Sequence, residues 1–184
     1  MGEGSSIRFE EMHADPFDVL GLAPTFDIEP GLIRSTYLEE MARIHPDLAR
    51  GDDEAARRAA RLNQAREVLD NPETRAGALL RRLGGAEKDA DKSLPPGFLM
   101  DMMQTREAIE ESVPEERPRW HAWAAKEREG YIARLSRHFK AAMPDPSPEH
   151  LGEIRRELNA WRYIERLIEQ VDPGREDASG RAQD

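Results

Sequence analysis

Apolar side chains recur at Ile33, Tyr37, Met41 and Ile44, the spacing that lays one buried stripe along an α-helix. The same period returns at Leu62, Ala65, Val68 and Leu69, and again at Phe98, Met102, Thr105 and Ile109. A fourth stripe joins Trp120, Trp123, Tyr131, Leu135 and Phe139, and a fifth joins Leu151, Ile154, Leu158, Trp161 and Ile168. Start and stop signals frame these runs. Asp15 before Pro16 predicts a cap and a short first helix that stops at Gly21. Glu29-Pro30 opens a second helix, which must end before Pro46 because proline drives the preceding residue out of helical geometry. Asp53 can cap a third helix running to about Leu69, and Asn71-Pro72 starts a fourth that ends at Leu83-Gly84-Gly85.

The pattern lapses between 84 and 96, where GGAEKDADKSLPP is polar and rich in Gly and Pro and reads as a linker. Three longer helical runs follow, over 97–112, 118–143 and 147–171, broken at Val113-Pro114 and at Pro144-Asp145-Pro146, with Ser147 as the last cap. Short connections between three helices predict an antiparallel bundle. The expected architecture is all-α, with an N-terminal helical module over 14–83, a linker over 84–96, a bundle over 97–172 and a polar tail over 173–184 expected to be disordered.

Composition narrows the function more than the fold. Of 184 residues, 38% are hydrophobic and 35% charged, enough for a core beneath a heavily charged surface. The net charge of -10 argues against nucleic acid or an anionic membrane as partner, since both ask for excess Lys and Arg. With no cysteine, disulfides, thiolate metal sites and cysteine nucleophiles are excluded, which fits a reducing compartment. No apolar run approaches the length of a membrane span, and the first residues resemble neither a signal nor a transit peptide. The expectation is a soluble cytoplasmic protein.

His45-Pro46-Asp47, at the end of the second helix, is the one short motif that carries a chemical question. Four roles are open: a helix stop, a pair of metal ligands, a proton-transfer pair, or a surface read by another protein. His45 and Asp47 supply only two candidate ligands, and His13, His121, His138 and His150 are scattered without pairing at helical spacing, so no metal site is expected. Acid–base catalysis needs a second organised titratable group and a pocket, and the sequence points to neither.

The series Asp15-Pro16-Phe17-Asp18-Val19-Leu20-Gly21-Leu22, an amphipathic helix, His45-Pro46-Asp47 and Leu62-Asn63-Gln64-Ala65 resembles a J-domain, the co-chaperone module that stimulates ATP hydrolysis by Hsp70-type chaperones. Further on, Leu69, Pro72, Arg75-Ala76, Leu79-Leu80, Phe98-Leu99-Met100, Arg106-Glu107 and Trp161-Arg162-Tyr163 are similar to the type III J-domain co-chaperones of the HscB family. The resemblance spans about residues 15–172. It implies a J-domain with a helical hairpin and His-Pro-Asp loop, joined to a three-helix bundle that carries an IscU-like iron–sulfur scaffold protein to an HscA- or DnaK-like Hsp70. ATP and magnesium would reside in the partner, and this chain would need no cofactor and catalyse nothing itself. The cysteine-pair metal module of some family members is absent. A general J-domain co-chaperone for another client, or a helical structural protein with an inactive tripeptide, are the alternatives.

On the resemblance, Pro46 stiffens the loop so that His45 and Asp47 meet the chaperone at little ordering cost, and Asp47 offers a charge-assisted bond to an arginine. J-domains usually carry basic residues along the second helix. Here the exposed face has Ser35, Glu39 and Arg43, with Leu48 after Asp47, and Glu39 and Arg43 are spaced to satisfy each other. Electrostatic steering is therefore expected to be weak, or to move to Arg57, Arg58 and Arg61 on the third helix.

The bundle offers a second candidate surface. At about 100° per residue, Phe98, Met102, Thr105 and Ile109 share a face, while Leu99, Met100 and Met103 fall about 80° to 180° away, near Glu107, Glu110 and Glu111. One helix of a small bundle cannot bury both faces, so an exposed apolar patch with an acidic border is expected. Methionine suits adaptable contacts. Family positions matching Leu99, Met100, Met103, Glu107 and Tyr163 bind the scaffold; packing of the bundle on the J-domain is the alternative use of the patch.

Overall fold

Local signals become helices at the expected places in the computed structural model, which describes residues 14–44, 53–143 and 145–171. The helices are α1 (Pro16–Leu20), α2 (Pro30–Ala42), α3 (Asp53–Asp70), α4 (Pro72–Arg82), α5 (Phe98–Glu110), α6 (Arg117–Ala142) and α7 (Pro148–Val171), with a 3-10 turn over Pro114–Glu116. No strand occurs among the described residues. The expected tail over 173–184 lies outside them. The chain divides into two compact units, Met1–Leu83 and Gly84–Asp184.

In the first unit, Asp15 accepts the Phe17 amide at 2.9 Å, relieving one of the orphan donors at the start of α1. Gly21 closes the helix at φ 64°, a left-handed conformation that glycine adopts without a Cβ clash. Register between α2 and α3 can be read from side-chain pairs. Tyr37 donates to Asn63 at 2.7 Å, and Arg58 reaches Glu40 at 3.1 Å, so α2 advances as α3 retreats. The pair is an antiparallel hairpin. Phe17, Leu20, Ile33, Leu62, Leu69, Leu79 and Leu80 fill its core, joined by Phe26 and Ile28 from the loop before α2. Tyr37, Met41 and Ile44 are only half-buried.

The turn from α3 to α4 explains why Arg75 is needed in the interior. Thr74 Oγ1 donates to the Val68 carbonyl at 2.6 Å, and Arg75 Nη1 donates to the Leu69 carbonyl at 2.8 Å. Both satisfy acceptors that the end of α3 leaves open. Burial pushes the Arg75 guanidinium below its ordinary pKa, offset in part by Asp27 and Asp70. Arg82 then ties α4 back to α1 through Asp15 and Asp18, each at 2.8 Å.

The second unit is a long antiparallel hairpin, α6 with α7, carrying the shorter α5 against α7. Arg128 pairs with Glu165, Arg134 with Glu157 and His138 with Glu153, one steady antiparallel register over nearly three turns. Between them Tyr131 stacks on Trp161 with centroids 6.4 Å apart and planes at 6°. Leu135, Phe139, Leu151, Ile154, Leu158 and Ile164 complete the core. The side chain of Ile168 lies outside the description. Trp120 and Trp123, expected in the same core stripe, are half-exposed and meet each other edge to face at 6.1 Å. The register sets Trp123 opposite the final described turn of α7, whereas Leu135 and Phe139 face its middle.

The polar segment over 84–96, expected to act as a linker, is held against α7. Arg155 Nε donates to the Ala86 carbonyl at 2.9 Å, and Asn159 Nδ2 donates to the carbonyls of Asp91 at 2.9 Å and Ser93 at 3.0 Å. The Asp91 side chain accepts the Ser93 amide at 2.8 Å, forming a local turn that polar composition alone does not distinguish from a loose tether.

Candidate functional site

α5 starts because Gly97, at φ 80°, turns the chain sharply after Pro95-Pro96 and leaves Phe98 as the first helical residue. Its inner face is buried at Phe98, Met102 and Ile109. Thr105 completes that face half-buried, its hydroxyl donating to the Asp101 carbonyl at 2.8 Å. The other apolar face stays in solvent: Leu99 is 53% exposed, Met100 68% and Met103 69%. Glu107, Glu110 and Glu111 border it and are exposed, with Arg106 bonded to Glu110 at 2.7 Å. That bond raises the Arg106 pKa.

Tyr163 stands on α7 and is half-buried. Its ring meets Phe98 edge to face, with centroids 5.6 Å apart. This places Tyr163 at the head of α5, against Phe98, which exposed Leu99 and Met100 follow in sequence. The five residues singled out from the sequence are thus gathered around one helix and its neighbour. A contiguous apolar area with charged edges can serve as a protein-binding surface, since it offers desolvation energy at the centre and orientation at the rim.

The second candidate surface lies on the first unit. His45, Pro46 and Asp47 are outside the described residues. Around them in sequence, Arg43 closes α2, and Arg57, Arg58 and Arg61 stand on the first half of α3. Their charges are not presented to solvent alone. Arg43 pairs with Glu40 rather than with Glu39, and Glu40 also takes Arg58 at 3.1 Å. Glu54 takes Arg57 at 3.4 Å and Arg61 at 3.0 Å. The expected Glu39–Arg43 pair gives way because Glu40 is turned toward α3, where one carboxylate can meet two guanidiniums. Each such exposed pair contributes about 0–1 kcal/mol, so the pairs tune the surface field more than they hold the fold.

No cluster of three or more His, Asp or Glu side chains suited to a metal ion occurs among the described residues, and no described helix is long and apolar enough to cross a membrane.

Comparison with known proteins matches each of the two units to a described family. The family described as DnaJ domain matches residues 15–77, and the family described as HSCB C-terminal oligomerisation domain matches residues 94–172. A co-chaperone protein HscB homolog from Vibrio vulnificus (strain YJ016) is 34% identical over 149 residues, covering 78% of this chain and 79% of the relative. The chain belongs to the HscB co-chaperone family. As a family member it is an iron–sulfur cluster co-chaperone that works with an Hsp70-type chaperone. The mitochondrial J-type co-chaperone jac1 of Schizosaccharomyces pombe is 29% identical over 150 residues, covering 79% of this chain and 65% of the relative. The fold is shared with chaperone HscB from Vibrio cholerae, at TM-score 0.67 and 24% identity over 89% of this chain and 99% of that one. Human co-chaperone protein HscB superposes at TM-score 0.74 with 16% identity, covering 89% of this chain and 83% of that one.

Proposed function

We propose that this HscB-family chain works in the cytoplasm as a two-ended adaptor. Residues 14–83 form its J-domain and 97–172 its scaffold-binding bundle. An IscU-like iron–sulfur scaffold docks on Leu99, Met100 and Met103, with Tyr163 at one side and Glu107 on the acidic border. His45, Pro46 and Asp47 engage an HscA- or DnaK-like Hsp70, flanked by Arg43, Arg57, Arg58 and Arg61, and raise its ATPase rate. The chain acts by binding, so the phosphoryl chemistry, nucleotide and magnesium belong to the chaperone.

The observation that carries this reading is the split of α5 into two apolar faces, one buried at Phe98, Met102 and Ile109 and one exposed at Leu99, Met100 and Met103. Three large apolar side chains gathered on one exposed helix face and bordered by carboxylates make the kind of patch that a partner covers. The test is Hsp70 ATPase stimulation with and without the scaffold. Synergy between chain and scaffold is expected. Stimulation unaffected by the scaffold would point to a general co-chaperone with another client, and no stimulation at all would refute the adaptor.

A further inference from the structure

A cleft of about 420 Å³ opens in the second unit between the 88–94 segment and α7. Lys88 and Lys92 line one wall, Arg162 and Arg166 the other, with Asp89 as the one carboxylate among them and Tyr163 at the edge. Each pair of cations is four residues apart, and Arg162 and Arg166, one turn apart on a helix, project from the same face. In a chain of net charge -10, this concentration of positive charge is against the trend of the whole surface. It is also a built feature. Asn159 holds the opposite wall through the carbonyls of Asp91 and Ser93, and Arg155 secures its foot at Ala86. Arg155 is 2% exposed and adds buried positive charge at that foot. Burial, and then the neighbouring Arg162, lower its pKa, while Glu87 and Asp91 act the other way.

We infer that this cleft receives a carboxylate-rich segment of the iron–sulfur scaffold protein, so that Lys88, Lys92, Arg162 and Arg166 form the basic half of a docking surface whose apolar centre is Leu99, Met100 and Met103. The inference rests on the scaffold reading given above and adds the chemistry of a second contact. Tyr163 supplies the continuity, since it lines the cleft and packs against Phe98 at the head of α5. Charge supplies the direction. The border on α5 is acidic at Glu107, Glu110 and Glu111, while the cleft is basic. A partner whose contact segment is acidic toward the cleft and basic toward α5 meets both, and the reversed orientation places like charges opposite each other at both ends. The volume matches several side chains rather than one small ion, and the exposed guanidinium fork of Arg166 suits a carboxylate held through both oxygens.

The experiment titrates an IscU-like scaffold into the full chain at low and at physiological salt. Three proteins are compared: wild type, Lys92→Glu/Arg166→Glu, and Leu99→Ala/Met103→Ala. Lys92 and Arg166 are exposed, so thermal melts of the charge variant should match wild type. Scaffold affinity of Lys92→Glu/Arg166→Glu should fall about tenfold at low salt, mostly in the association rate, and the deficit should shrink as salt rises. The neutral version, Lys92→Gln/Arg166→Gln, should lose an intermediate amount. If Leu99→Ala/Met103→Ala weakens binding and the charge variants do not, the cleft inference fails while the scaffold reading stands. If neither set weakens binding, the scaffold reading itself fails. Millimolar orthophosphate should displace the scaffold no more than chloride of equal ionic strength; selective displacement by phosphate, absent in Lys92→Glu/Arg166→Glu, would overturn the inference in favour of a small-anion site.

Discussion

Tyr163 and Phe98 meet edge to face at 5.6 Å, with their ring planes at 85°. Phe98 is in the core and Tyr163 only half-buried, so one contact joins the interior of the bundle to its exposed apolar surface. Edge-to-face aromatic pairs contribute about 0.5–1.5 kcal/mol beyond the area they bury. The pair therefore fixes where Tyr163 stands relative to Leu99.

Alanine substitutions should separate core from surface on α5. Phe98→Ala should destabilise the chain by about 3–5 kcal/mol, as expected for a buried aromatic. Leu99→Ala and Met103→Ala should shift stability by no more than about 0.5 kcal/mol while weakening scaffold binding at least tenfold together, the loss expected of anchors of about 1–2 kcal/mol each. Tyr163→Ala should show both effects, about 1 kcal/mol of stability through the lost ring pair and a drop in scaffold affinity. Denaturant melts beside scaffold titrations decide it. A large stability loss in Leu99→Ala/Met103→Ala would mean that the exposed face is structural.

His45→Gln and Asp47→Asn should abolish stimulation of the Hsp70 ATPase and leave the melt within about 0.5 kcal/mol of wild type, as the proposed partner-contact role of the two side chains implies. Scaffold binding should be untouched. Normal stimulation by His45→Gln would exclude a working J-domain.

Glu40 faces both Arg43 and Arg58, so Glu40→Gln should leave those guanidiniums more available to an acidic partner. Hsp70 affinity is expected to rise several-fold at low salt and to become steeper in its salt dependence, because exposed charges are screened over about 10 Å at 0.1 M salt. Stability should fall by under about 1 kcal/mol, the range of exposed pairs. Replacing Arg57, Arg58 and Arg61 together should flatten the salt dependence. If neither change alters it, steering does not come from α3.

Tyr131 is buried between Trp161 and Arg134, and burial pushes its hydroxyl up to about 12. Its folded pKa lies above the value of about 10 that the unfolded chain has, so the folded state holds the proton more tightly. Stability is fully present below about pH 10 and is lost as pH rises toward 12, because the unfolded chain gains by ionising first. Melting temperature should fall across that window, and Tyr131→Phe should make the fall shallower. An unchanged alkaline profile in Tyr131→Phe would assign it to other groups.

Helix starts and ends were legible in the sequence because their causes are local. Asp15, Asn71 and Ser147 each cap the helix that follows, with acceptor distances of 2.9, 2.8 and 3.3 Å, and a cap needs only the next three residues. The exposed patch was legible for a different reason. Phe98 and Leu99 sit on different faces whatever the fold, and a helix on the outside of a small bundle buries only one. Tertiary structure alone decided the rest. Glu40 rather than Glu39 takes Arg43 because α3 lies on that side and brings Arg58 to the same carboxylate. Trp120 and Trp123 obey the core period yet are half-exposed, since period fixes a direction along one helix and not what lies opposite it. The basic cleft was the least legible. Lys88 and Lys92 lie about seventy positions from Arg162 and Arg166, in a stretch whose composition reads as a tether. They converge because Asn159 and Arg155 bind three backbone carbonyls of that stretch, and hydrophobic periodicity carries no record of such bonds.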